Sequence, residues 1–84
     1  LADLAALIAR RRAELPEGSY TTHLFTSGSE KIRKKTGEEA VELLLASTRE
    51  TLVSESADLI YHLLVLLESE GVSLDEIAAE LERR

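Results

Sequence analysis

Residues Gly37 to Gly71 read GEEAVELLLASTRETLVSESADLIYHLLVLLESEG. Two apolar runs, each carrying acids, flank the polar stretch ASTRET at positions 46–51. At roughly 100° per residue, Glu38, Glu39 and Glu42 fall within an arc of about 100°, and Val41, Leu43, Leu44 and Leu45 fill most of the remainder. In the second run Glu55 and Asp58 are neighbours on a helix surface, with His62 one turn beyond Asp58. Leu59, Ile60, Tyr61, Leu63, Leu64, Val65, Leu66 and Leu67 surround that acidic stripe. Neither run alternates polar and apolar residues, so both are expected to be helices, and a helix apolar on nearly every side is a buried one. Their short connection makes them antiparallel. The expected core is therefore a helical hairpin.

Upstream, Ala2 to Leu15 carries Leu4, Leu7 and Ile8 at helical spacing and stops at Pro16. PEGSYTTHLFTSG, residues 16–28, is expected to be a loop in which Ser19 caps a short helical turn bearing Tyr20, Leu24 and Phe25. Ser27 or Ser29 opens the first acidic helix, which extends to about Ser47 with Gly37 inside it, where glycine costs roughly 1 kcal/mol against alanine. The second acidic helix is expected from about Glu50 to Glu70, closed by Gly71 in the left-handed conformation. Ser73 and Glu76 form a capping box for a last helix with Leu74, Ile77, Ala78 and Leu81 as its stripe. With one proline, four glycines and no repeat or linker, the chain is expected to be all-α, with residues 1–84 as a single domain.

The net charge of -6 argues against a nucleic-acid or anionic-membrane partner, since both surfaces repel an acidic chain. The longest apolar block, LIYHLLVLL, is too short for a bilayer core of about 30 Å, and no secretory signal precedes it. The absence of cysteine excludes disulfides and thiolate metal sites and suits a reducing compartment, so the expected location is the cytoplasm. A core of this size rarely yields more than about 3–5 kcal/mol of net stability, which makes self-association the expected remedy. Leu1 in first place and the lack of methionine are expected of a chain trimmed at its start or cut from a longer one.

Bringing the two acidic faces together is costly. Carboxylates about 4 Å apart repel by roughly 4 kcal/mol at an effective dielectric near 20. Lysines of the fold, protons or a bound metal must offset this. A cysteine-free set of Asp and Glu is the ligand type for Mg²⁺ or Mn²⁺, and Lys31, Arg33, Lys34 and Lys35 just before it can meet phosphates. Adjoining cation and anion sites are what metal-assisted phosphate chemistry requires. EExxE by itself is common on solvated helices; its weight comes from the ExxD on a second, nearly all-apolar helix. His62 alone reads as a hydrogen-bonded, partly buried histidine, and His23 carries no assignment. Arg10, Arg11 and Arg12 suit the helix dipole and have no further assigned role.

EEAVE, followed after twelve residues by ESAD, resembles the EExxE…ExxD pattern of the all-α nucleotide pyrophosphohydrolases, the MazG-like superfamily. Within it, PEGSYTTHL, GSEKIRKKTGEEAVELLLA, SESADLIYHLLVLL and GVSLDEIAAELERR together resemble the phosphoribosyl-ATP pyrophosphatase family of histidine biosynthesis, over nearly the whole chain. The resemblance implies hydrolysis of the α–β phosphoanhydride of phosphoribosyl-ATP, Mg²⁺ or Mn²⁺ as cofactor, and a homodimer whose hairpins form a four-helix-bundle-like assembly. By position it implies Glu38, Glu39, Glu42, Glu55 and Asp58 as metal-binding acids, and Lys34 and Lys35, with Lys31 beside them, as phosphate-binding groups. Ser19, Tyr20, Thr21 and His62 also fall in its motifs as candidate substrate contacts. Glu39 is the expected general base, although nothing in the sequence singles it out among the glutamates. Thr48 stands where a lysine is expected. Two other functions compete. A general dNTP pyrophosphohydrolase would share the acids, but SYTTHL and DLIYHLLVLL favour the histidine family. A non-enzymatic helical dimerisation module leaves unexplained why acids share the inward stripes.

Overall fold

The computed structural model describes residues 1–84 as five helices and no strand, so the chain is all-α. These are α1 (Ala2–Glu14), α2 (Tyr20–Ser27), α3 (Ser29–Leu45), α4 (Arg49–Ser69) and α5 (Leu74–Arg83).

Local chemistry sets the boundaries. α1 ends at Glu14, where Leu15 turns left-handed at φ 47° with its N–H on the Arg11 carbonyl at 2.8 Å, and Pro16, which has no N–H to donate, keeps the helix from continuing. The turn expected after it is a full helix of eight residues, started by Ser19, whose Oγ accepts the Thr22 N–H at 3.3 Å. Gly28, at φ 96°, breaks α2 from α3 in a conformation that L residues rarely adopt. α3 stops two residues short of Ser47. The reason is the capping box of α4, in which Thr48 Oγ1 accepts the Thr51 N–H and Thr51 Oγ1 accepts the Thr48 N–H, both at 3.1 Å. The threonine found in place of an expected lysine is thus the N-cap of an acid-bearing helix. At the other end of α4, Gly71 has φ 74°, its N–H bonds the Glu68 carbonyl, and the Val72 N–H bonds that of Leu67, which is the Schellman pattern. The Ser73–Glu76 box opens α5 as its spacing predicts.

The three-residue connection folds α3 and α4 into an antiparallel hairpin, and α1 and α2 cross one end of it. There Ile8, Leu24, Ile32, Leu64 and Val65 form the core, with Leu4, Phe25, Tyr61, Leu66 and Leu74 around it. Thr36 stitches the hairpin, donating to the carbonyls of Ile32 at 2.9 Å and His62 at 3.4 Å. Ion pairs Arg12–Glu68 and Arg33–Glu70 rim this closed end.

The other half of the hairpin is open. Val41, Leu44 and Leu45 of α3 and Leu52 and Val53 of α4 face solvent, Leu44 with 82% of its surface exposed. The expectation that both acidic helices are buried on nearly every side is therefore not met within one chain. In α4 only His62, Leu64 and Val65 are buried, and in α3 only Ile32, because α1 and α2 cover just one end. The stripe of α5 is likewise uncovered at Ile77 and Leu81. The radius of gyration, 13.5 Å, exceeds the roughly 12 Å of a compact chain of this length. No helix is long and apolar enough to cross a membrane.

Candidate functional site

Where the open half begins, α3 and α4 bring acids together. Glu39 and Glu42 from α3 and Glu55 from α4 each offer a carboxylate oxygen, and these oxygens lie within 4.8 Å of one another. Glu39 and Glu55 are half-buried, and Glu42 is exposed. One oxygen of Glu39 and one of Glu55 are shut off from solvent without a hydrogen-bond partner. Folded proteins rarely leave such atoms unpaired, since each forfeits its hydration with nothing in return. Burial pushes the Glu39 carboxyl above its ordinary range, repulsion from Glu42 and Asp58 pushes it further, and His62 opposes both. Glu55 is raised in the same way, by burial first and then by the crowding carboxyl of Glu42, with Asp58 and Glu39 adding to it. The cluster is short of positive charge, which a proton or a cation supplies.

The five acids expected to act together thus divide. Three meet. Asp58 is exposed and borders them, near enough to raise both Glu39 and Glu55. Glu38 is exposed and pairs with Lys35 at 3.4 Å, which holds the lysine ammonium above its usual range. Lys31 and Lys34 are exposed on the α3 turns before the acids. Arg33, expected beside them, instead bonds Glu70 at 2.9 Å on the closed end and is lost to this site.

The α2 segment contributes through Tyr20. Its hydroxyl meets His62 Nε2 at 3.2 Å, while His62 Nδ1 lies 2.7 Å from the carbonyl oxygen of Asp58. A carbonyl only accepts, so Nδ1 carries the hydrogen, and in the neutral ring Nε2 accepts from Tyr20. His62 is buried and hydrogen-bonded at both nitrogens, the partly buried histidine that its sequence context suggests. Ser19 is occupied as the cap of α2, and the buried Thr21 hydroxyl is bonded to that of Tyr61. Sequence reasoning counted Tyr61 only as an apolar neighbour of the acids and passed over Thr36. Their only signal is a polar group on a helix face that the fold turns inward.

The largest cleft, about 350 Å³, lies away from the acids, at the closed end between Leu15, Phe25 and Ile32. Its guanidinium, Arg12, is committed to Glu68. The acid cluster, by contrast, has an all-oxygen donor set and two orphaned oxygens, the requirements of a hard divalent cation of the Mg²⁺ or Mn²⁺ type. Beside it stand lysines suited to phosphate oxygens.

Comparison with known proteins covers the same residues. A family model described as phosphoribosyl-ATP pyrophosphohydrolase matches residues 1–84. The chain is 56% identical over 87 residues to the phosphoribosyl-ATP pyrophosphatase of Metallosphaera sedula, spanning 100% of this chain and 94% of that protein. Identity to the protein of the same name from Methylobacterium nodulans is 52%, over 100% of this chain and 81% of the relative. The histidine biosynthesis bifunctional protein HisIE of Halalkalibacterium halodurans is 54% identical over 100% of this chain, which spans 41% of that longer protein.

Proposed function

The chain belongs to the phosphoribosyl-ATP pyrophosphohydrolase family, and from that premise we propose that it hydrolyses the α–β phosphoanhydride of phosphoribosyl-ATP in histidine biosynthesis, using Mg²⁺ or Mn²⁺ in the cytoplasm. The products are phosphoribosyl-AMP and pyrophosphate. The observation that carries the metal-dependent mechanism is the pair of orphaned carboxylate oxygens on facing helices, Glu39 on α3 and Glu55 on α4, with Glu42 between them. Glu39, Glu42, Glu55 and Asp58 would hold the ion, with Glu38, here paired with Lys35, as a further donor. When bound, the divalent ion neutralises phosphate oxygens and the leaving pyrophosphate and acidifies water. Glu39, its carboxyl already held above the ordinary range, accepts the proton of the attacking water as the bridging P–O bond breaks. Lys34 and Lys35, with Lys31 behind them, fix the nonbridging oxygens in place before charge develops on them.

The proposal includes a homodimer. The apolar residues left in water on the open half, Val41, Leu44, Leu45, Leu52 and Val53, are the surface that a second copy would cover. A second hairpin laid on them yields a four-helix-bundle-like assembly.

Pyrophosphate release from phosphoribosyl-ATP and from a panel of dNTPs, with Mg²⁺ and with chelator, tests the reading. Turnover of phosphoribosyl-ATP alone, lost with chelator, is the expected result. Turnover of the dNTPs instead would make this a general nucleotide pyrophosphohydrolase. A melting temperature indifferent to Mg²⁺ in a chain without activity would leave a helical module.

A further inference from the structure

We infer that the exposed face of the Tyr20 ring is the platform on which the purine of the substrate stacks, a subsite that rests on the nucleotide-hydrolysis reading above. Tyr20 is the one aromatic residue among the large apolar side chains left exposed, at 48%. A surface tyrosine ordinarily buries its ring and keeps its hydroxyl wet. Tyr20 does the reverse: its hydroxyl is bonded inward to His62 while nearly half of the residue stays exposed.

The ring is also held in place. Tyr61 lies within 27° of parallel to it, with centroids 6.2 Å apart, and His62 meets it edge-on at 72°. His23, one turn along α2, flanks it at 6.3 Å. A ring fixed on several sides loses little freedom when a flat ligand covers it, so stacking energy is retained as affinity. Its position suits a nucleotide. The Tyr20 hydroxyl meets His62, which bonds the Asp58 carbonyl at the edge of the acid cluster. A base on this ring therefore sends its phosphates toward the lysines and acids.

The test is an NMR titration of wild type, Tyr20→Phe and Tyr20→Leu with adenosine monophosphate and, separately, with pyrophosphate and Mg²⁺. On wild type and Tyr20→Phe the adenine protons should move upfield through the ring current of a stacked aromatic. Tyr20→Leu should bind adenosine monophosphate about ten-fold more weakly, pyrophosphate as wild type does, and show a similar rise in KM for phosphoribosyl-ATP. Unshifted adenine protons on wild type, no binding of adenosine monophosphate, or equal affinity in Tyr20→Leu would overturn the platform. The wild-type measurement decides even where Tyr20→Leu does not fold. Unshifted adenine on a chain that hydrolyses phosphoribosyl-ATP removes the platform and keeps the activity; shifted adenine on an inactive chain does the converse.

Discussion

The two ends of the α3–α4 hairpin follow the same helical rules and reach opposite solutions. At the closed end Ile8 and Val65 are 1% and 0% exposed, and the charges on the rim are paired, Arg12 with Glu68 and Arg33 with Glu70. At the open end leucines stand in water, and carboxylates of Glu39, Glu42 and Glu55 crowd together with two oxygens unsatisfied. One end is optimised for the single chain. The other is left incomplete in both apolar area and positive charge, the deficits that the proposed second copy and cation would make good. A chain this small carries little stability in reserve, so such a deficit at one end has to be tolerated by tight packing at the other.

Removing an acid from the open end should have the largest effect. Glu55→Ala and Asp58→Ala are each expected to lower Mg²⁺-dependent pyrophosphate release by about 100-fold or more, while circular dichroism shows helices that melt no earlier, because a repelling charge is gone. Near-normal turnover in both would make the acids solvated decoration. At the closed end, Ile8→Ala should cost about 2–5 kcal/mol in urea unfolding through the cavity it leaves. A loss well under 1 kcal/mol would mean that the two ends differ less than their burial suggests. Leu44→Asp, at the exposed tip, should leave the secondary structure unchanged and halve the mass found by sedimentation equilibrium; an unaltered mass would move the interface elsewhere.

The smallest effect is a difference in sign. Glu70 is held below the ordinary carboxylate range by its hydrogen bonds from Ser29 and Arg33. Its contribution is present above the ordinary value of 4.5 and is lost as pH falls through the depressed one. Glu39 and Glu55 are raised, so their contribution is present below 4.5 and is lost as pH rises through the elevated values. Melting temperatures of the metal-free protein across this range should therefore respond oppositely to Glu70→Gln and to the Glu39→Gln, Glu55→Gln pair. Parallel responses would remove the electrostatic half of the comparison.

Much of this was legible in the sequence because it is local. Helical period, the caps at Ser19 and Ser73, the stop at Gly71 and the acid spacing all depend on residues within a turn or two of one another. Legibility ended where neighbours on a helical wheel part company. Glu38 and Glu39 lie in one arc, yet Glu38 goes to Lys35 and Glu39 turns toward Glu55. Arg33 and Lys34 belong to one basic run, but only Arg33 is drawn across to Glu70, 37 positions away. Wheel geometry locates a residue to within a sector, and the choice of partner inside that sector depends on the other helices.

The amino-acid order by itself determined that the chain is all-α, that its long helices are apolar and marked with acids, and which family it belongs to, because periodicity, capping and motif order are written in short-range spacing. Only the tertiary structure decided which end of the hairpin is covered, which three acids meet, and that Tyr20 turns its hydroxyl inward to His62, 42 residues on. Those outcomes depend on where α1 and α2 cross the hairpin, and that crossing is settled by packing between side chains remote in sequence.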